Sequence, residues 1–275
     1  MQAIHSIFGK QDKIVIGVVH FPPTLDLPDA QPLSLALDHA LADLAAFEEG
    51  GVEGIIIENN YDLPHRIQVG PGTVAEMTAL GLQLRAATRL PMGVCVLWND
   101  VEASFAVAKA IGAQFIRIPV FVDDVKTDFG RITGNPETVR RIRQAHQAES
   151  IAIVADIHVK HSTILSQTTI AESAVLAMQQ GADALIVTGS WTGQSPAETD
   201  LSAVRKAIPS GPIFAGSGVN DQNIGGILRT ANGVIVSTSL KKGMASEAER
   251  NVKPWQARID AAAVEKLVAA SRLML

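Results

Sequence analysis

An α/β fold, closed into a (βα)8 barrel, is what this sequence predicts, and three observations carry the expectation. Eight short apolar runs recur along the 275 residues. Segments rich in Ala, Leu, Glu, Gln and Arg, the better helix formers, separate them. No GxGxxG follows the first run, as an open dinucleotide-binding sheet would require. Each unit is about 34 residues long, the size of a strand–helix repeat.

The runs in order are residues 14–19, 54–57, 92–97, 115–118, 151–155, 184–187, 212–215 and 233–236. They lack strict polar alternation, so they read as strands of a parallel sheet buried on both faces. The helical segments are 33–49, 74–89, 102–111, 137–148, 169–180, 200–208 and 222–229. Gly51, Gly112 and Gly181 stand just before the second, fourth and sixth runs, and Gly233 stands at the junction that opens the eighth. A helix end needs a positive φ there, which glycine supplies without steric cost. Pro91, Pro209 and Pro212 punctuate before the third and seventh runs. No linker or shift in composition interrupts the chain, so residues 1–275 are expected to form one domain.

Charge and cysteine usage exclude other classes. Lys and Arg number 23 against 28 Asp and Glu, a net charge of -5. The densest basic cluster is Arg140, Arg141 and Arg143 on one helical segment, so there is no stripe to neutralise nucleic-acid phosphates. The one cysteine, Cys95, sits in an apolar run and reads as a small buried hydrophobe. The first apolar run is too short for a membrane span or signal segment, and the expectation is a cytoplasmic protein.

In such a barrel, function sits on the loops after the strands. The runs lead into His20, Glu58-Asn59-Asn60, Asn99-Asp100, Asp156-Ile157-His158-Val159-Lys160-His161, Thr188-Gly189, Gly216-Ser217-Gly218 and Ser237-Thr238-Ser239, and the fourth run contains Arg117. Strand alternation places Asp156, His158 and Lys160 on one side and Ile157 and Val159 on the other, which predicts that the three ionisable groups face the axis. An inward lysine beside apolar walls and cations loses its proton more readily, the profile of a Schiff-base former or general base. Asp156 and Glu58 are then candidate proton shuttles, and His20, Asn99 and His158 would orient or polarise a carbonyl. His20, Glu58, Asp156 and His158 offer an alternative use of the same positions, a divalent-metal hydrolase site, although they lie on three strands without a local ligand motif. No cofactor is otherwise implied. His5, His39 and His146 read as surface or loop residues, and His65 and Arg66 fall in an active-face loop.

The seventh and eighth runs point to phosphate. Gly216-Ser217-Gly218-Val219 precedes a helix expected near Asp221, and Ser237-Thr238-Ser239 follows the last run. Backbone N–H groups of these two loops form the phosphate cup in TIM barrels of the phosphate-binding type. Gly189 and the segment 188–193 offer another wall, with Trp191 able to cover a flat or apolar ligand.

Together, Ile16-Gly17-Val18-Val19-His20-Phe21-Pro22-Pro23, Ile57-Glu58-Asn59, Gly93-Val94-Cys95-Val96-Leu97-Trp98-Asn99-Asp100, Ala155-Asp156-Ile157-His158-Val159-Lys160-His161, Val187-Thr188-Gly189 with Thr192-Gly193, and Gly216-Ser217-Gly218-Val219 resemble the BtpA/SgcQ family over about residues 14–242. The resemblance implies a TIM barrel related to phosphate-binding barrels. It also implies a choice between two roles, since the family's names come from photosystem I biogenesis and from a bacterial sugar-metabolism gene cluster. One role is an isomerase, epimerase or aldolase-like enzyme for a small phosphorylated substrate, a sugar or nucleoside-derived phosphate; the other is a non-catalytic assembly factor. By analogy with other barrels a homo-oligomer is expected.

Overall fold

The computed structural model describes residues 2–243 and 254–273. Its strands are β1 (Ile14–His20), β2 (Gly54–Glu58), β3 (Met92–Cys95), β4 (Phe115–Ile118), β5 (Asp124–Thr127), β6 (Gly130–Thr133), β7 (Ala152–Ile157), β8 (Ser162–Ile164), β9 (Ala184–Thr188), β10 (Ile213–Gly216) and β11 (Gly233–Val236). Eight of them close into a barrel in the order β1-β11-β10-β9-β7-β4-β3-β2. Every neighbouring pair is parallel. All eight apolar runs of the sequence are therefore barrel strands.

Alternation along each strand sorts the side chains. Ile14, Ile16, Val18, Ile56, Cys95, Phe115, Val154, Ile186, Phe214 and Ile235 fill the interior. Val15, Val19, Ile55, Val94, Ile116, Ile153, Leu185 and Val234 face the surrounding helices. With few aromatics available, single rings fill much of the space. A Cβ on Gly93 would lie 2.2 Å from the Phe115 ring. Gly93→Ala is therefore expected to cost about 1–3 kcal/mol by overpacking, read from the urea midpoint.

The helices are α1 (Gln2–Phe8), α2 (Leu33–Gly50), α3 (Pro71–Ala87), α4 (Val101–Ile111), α5 (Pro136–Ala145), α6 (Ile170–Gln179), α7 (Glu198–Ala207), α8 (Ile224–Ile227) and α9 (Ala261–Arg272). Helix α1 was not apparent in the apolar pattern. It stops the amino-terminal end of the barrel: Ile4 is buried among the interior residues, and the Phe8 ring lies 5.8 Å from Phe115 and 6.5 Å from Phe214. Among the described residues, the cavity that reaches the interior side chains Val18, Ile186 and Ile235 lies over the carboxyl ends of the strands. Among the described residues, no helix is long and apolar enough to cross a membrane.

Four local expectations need correction. Gly51, Gly112 and Gly181 take positive φ (81°, 68° and 101°) after helices, as expected, but Gly233 opens β11 instead. It is small there because a Cβ would sit 2.5 Å from the Ile14 carbonyl oxygen and 2.7 Å from the Phe214 ring. The helix expected from about Asp221 shrinks to the four residues of α8, since Asn220 folds back to accept from the backbone N–H groups of Gln222 and Asn223. His39 is no surface residue; it is buried in α2, with Nε2 against the Trp255 carbonyl and Nδ1 3.8 Å from Asp43. Finally, β5, β6 and β8 form an antiparallel sheet in the order β6-β5-β8 that the sequence did not announce. Its Val125 and Ile132 pack on Trp98, Val120 and Val159, tying together the segments that follow the third, fourth and fifth barrel strands.

Candidate active site

At the carboxyl ends of the strands lies a cavity of about 780 Å³. Val18, Ile186 and Ile235, the last apolar residues of their strands to face inward, line its floor. Above them the inward positions turn polar.

On one wall an ion network joins three strands. Arg117 donates from Nε and Nη2 to both oxygens of Asp156, each at 2.9 Å, and from Nη1 to Glu58 Oε2 at 3.1 Å. It reaches Glu58 across β3, whose inward residue there is the small, buried Cys95. Glu58 Oε1 is 3.4 Å from His20 Nε2, and His20 Nδ1 is 3.5 Å from the Ser237 hydroxyl. All these groups are buried. Burial pushes the Glu58 carboxyl upward, but the hydrogen bond to His20 and the charge of Arg117 outweigh it and hold the group at about 2. Burial also dominates at His20 and lowers it, with Lys241 adding to the effect and Glu58 opposing it. A neutral His20 donating from Nε2 to an anionic Glu58 fits both directions, and its Nδ1 is left to accept from Ser237.

Lys160 stands on the same cavity, just beyond β7. Its Nζ donates to Thr192 Oγ1 at 3.1 Å, and its backbone N–H donates to Thr188 Oγ1. Burial and then the nearby Arg117 lower the amine from 10.5 to about 8, although Glu58 and Asp156 oppose the shift. At pH 7 about one amine in ten is then neutral and nucleophilic.

The remaining wall is built by the loops after β10 and β11: Gly216, Ser217 and Gly218 on one, Ser237, Thr238 and Ser239 on the other. Ser217 and Gly218 both have positive φ, 72° and 58°. The serine is held in that unfavourable region by donating its hydroxyl to the Trp191 carbonyl at 2.9 Å. A Cβ on Gly218 would meet Ser195 N at 2.2 Å, and one on Gly189 would meet the Gln194 carbonyl oxygen at 2.2 Å. The segment around Gln194 is thus wedged between Gly189, earlier in the same loop, and Gly218 in the loop after β10.

Of the residues singled out from sequence, His20, Glu58, Arg117, Lys160, Gly216, Ser217, Gly218, Ser237 and Thr238 share the cavity. Asp156 lies beneath them, fully buried, with both oxygens occupied by Arg117. Asn99, Gly189 and His158 do not line the cavity. The Asn99 amide is consumed by the backbone of Val120, donating to its carbonyl and accepting from its N–H. His158 departs from strand alternation because β7 ends at Ile157 and His158 turns to φ 48°. His158 does not join the other three candidate ligands in a metal-holding group. Among the described residues no group of three or more His, Cys, Asp or Glu side chains is placed to hold a metal, and the Arg117 guanidinium bonds to both Glu58 and Asp156. Sequence reasoning missed the parts played by Gln194 and Asn220, whose residue types mark no site. Thr192 lies in the segment 188–193 expected to form a wall, but its bond to Lys160 is set by the fold.

A family model described as the BtpA family matches residues 11–270. The photosystem I biogenesis protein BtpA of Synechocystis is 37% identical over 234 residues, covering 83% of this chain and 80% of its own. The putative sgc region protein SgcQ of Escherichia coli is 33% identical over 251 residues, covering 88% of this chain and 91% of its own. Among solved structures, (S)-3-O-geranylgeranylglyceryl phosphate synthase of Thermoplasma acidophilum, in complex with its substrate sn-glycerol-1-phosphate, superposes with a TM-score of 0.59 at 12% identity, covering 98% of each chain. That likeness extends to the TIM-barrel fold. The extent and identity of the sequence matches establish that the chain belongs to the BtpA family.

Proposed function

We propose that the chain is an enzyme acting on a small phosphorylated metabolite, a sugar phosphate or a nucleoside-derived phosphate, by proton transfer or carbon–carbon bond chemistry at a carbonyl. The observation that carries this reading is the amine of Lys160, lowered to about 8, on a cavity it shares with the two glycine- and serine-rich loops. The backbone N–H groups of Gly218, Val219, Thr238 and Ser239 find no acceptor among the described residues, and together with the hydroxyls of Ser217, Ser237 and Thr238 they suit a phosphate. The strand order sets β11, which leads to Ser237, diametrically across the barrel from β4, which carries Arg117. A substrate held by its phosphate would extend toward Arg117 and Lys160.

In this mechanism Lys160 adds to the carbonyl carbon and water leaves, giving an iminium. The iminium nitrogen draws in the electron pair of the breaking α C–H bond, or of the C–C bond one carbon further, leaving an enamine and releasing the proton or a carbonyl fragment. Reprotonation at carbon restores the iminium, and water adds to it to release product and regenerate the amine. Arg117, fixed by Asp156 and Glu58, polarises substrate oxygens. His20 and Glu58 move the proton, while Asp156, with both oxygens taken by Arg117, positions that guanidinium. A homo-oligomer and a cytoplasmic location belong to the same proposal.

The test is borohydride trapping with glyceraldehyde 3-phosphate beside unphosphorylated glyceraldehyde, followed by peptide mass spectrometry. Reductive labelling of Lys160 at lower concentrations of the phosphorylated aldehyde, with the preference lost in Gly218→Ala, is the expected result. If no aldehyde labels Lys160, the Schiff-base role is gone. If none binds at all, the barrel is better read as a biogenesis factor, as the cyanobacterial relative is named.

A further inference from the structure

We infer that Thr192 and His161 are positioning residues that keep the lone pair of Lys160 turned into the cavity. The inference builds on the reactive role proposed for Lys160. Thr192 Oγ1 lies 3.1 Å from Lys160 Nζ and 2.8 Å from His161 Nε2. A hydroxyl has one hydrogen to give and two lone pairs to receive with. The lysine, mostly ammonium at neutral pH, donates to the oxygen. In the Nδ1–H tautomer His161 Nε2, 2.8 Å away, accepts the single hydroxyl hydrogen. Burial and the neighbouring Lys160 lower His161 to about 4, so at neutral pH it is an uncharged acceptor.

The direction of this chain decides what the amine can do. With Thr192 committed to His161, Lys160 must approach Thr192 as a donor. When the amine loses a proton it keeps an N–H on Thr192, and its lone pair points elsewhere. Were His161 absent, the hydroxyl could rotate and donate to that lone pair, capping the nucleophile. The two positions are well placed to act as a unit. Trp191 packs edge-on to His161 at 5.2 Å between centroids, and the His161 backbone N–H donates to the Ser190 carbonyl. The histidine is thereby fixed against the segment that carries Thr192.

The test reads the amine itself and needs no substrate. At pH 7, 1-fluoro-2,4-dinitrobenzene arylates a neutral amine: the nitrogen bonds to the ring carbon, fluoride leaves and a proton is lost. The initial rate at Lys160 is followed by peptide mass spectrometry in wild type, His161→Phe, Thr192→Val and the double variant. We expect His161→Phe to slow arylation about fivefold, the worth of one ordinary hydrogen bond. Adding Thr192→Val should restore most of the rate, because no hydroxyl remains to cap the amine. A misfolded site would not recover on a second substitution, so the rescue separates orientation from structural damage. An unchanged rate in His161→Phe, a double variant as slow as the single, or a wild-type Lys160 that does not react would each overturn the inference. The outcome is independent of aldehyde trapping, so the relay can fail while the Schiff-base role stands, and the reverse.

Discussion

Arg117→Met should be the most destabilising single change on the cavity wall, lowering the free energy of unfolding by about 3–5 kcal/mol. Arg117 satisfies both oxygens of the fully buried Asp156 and one of Glu58. Removing it leaves two buried carboxylates without the guanidinium that bonds both, and the nearby Lys160 makes no hydrogen bond to either in its place. Urea unfolding at pH 7 measures the loss. Neutralising the partners as well, in Arg117→Met with Glu58→Gln and Asp156→Asn, should recover a large part of it. A single variant within about 1 kcal/mol of wild type would show that the network does not hold the mouth together. The pH dependence has a definite sign. Glu58 is lowered from 4.5 to about 2 in the folded chain, so its contribution is complete above pH 4.5 and fades as pH falls toward 2. Without Arg117 that loss should begin at higher pH.

This network also marks how far the residues alone could be read. The strands were legible because burial on both faces leaves uninterrupted apolar runs, as in Ile55-Ile56-Ile57 and Ile153-Val154-Ala155. The site residues at strand ends were legible by parity, which holds as long as the chain stays extended. His20, Glu58, Arg117 and Asp156 obey it. His158 does not, because the left-handed turn at the end of β7 lies outside any pattern of apolar and polar residues. Asn99 has the chemistry of a site residue, yet the backbone of Val120 claims it, a pairing set by tertiary geometry. The small sheet was hidden for another reason. Its strands are three or four residues long and partly exposed, too short for alternation to register. Lys241 donating to the Tyr61 hydroxyl spans 180 residues and has no local signal at all.

Lys160→Met should separate activity from stability. Turnover is expected to fall by about 10²–10⁴-fold, the usual worth of a positioned base or nucleophile. The wild-type rate should rise with pH and level off above about 8, as the amine is freed. Stability should move the other way. A lysine lowered from 10.5 to about 8 favours its neutral form in the folded chain, so it burdens folding below pH 8 and the burden lifts between pH 8 and 10.5. Methionine keeps the stem and carries no charge, so the variant should melt a few degrees higher at pH 7. Calorimetry at pH 7 and pH 10 would show this gain narrowing. A variant that melts lower at pH 7 would mean that Lys160 is held there as a favourable ion-pair member, with no reserve of reactivity.

The peptide at Gln194 fits against Gly189 on one side and Gly218 on the other with no room for a methyl group. Two residues earlier in the same segment is Thr192, the partner of the lysine. The edge proposed to hold the phosphate and the edge that holds the Lys160 amine are therefore mechanically one piece. A redesign that enlarges one to admit a different ligand will carry the other with it, so new specificities should come from paired substitutions across this joint.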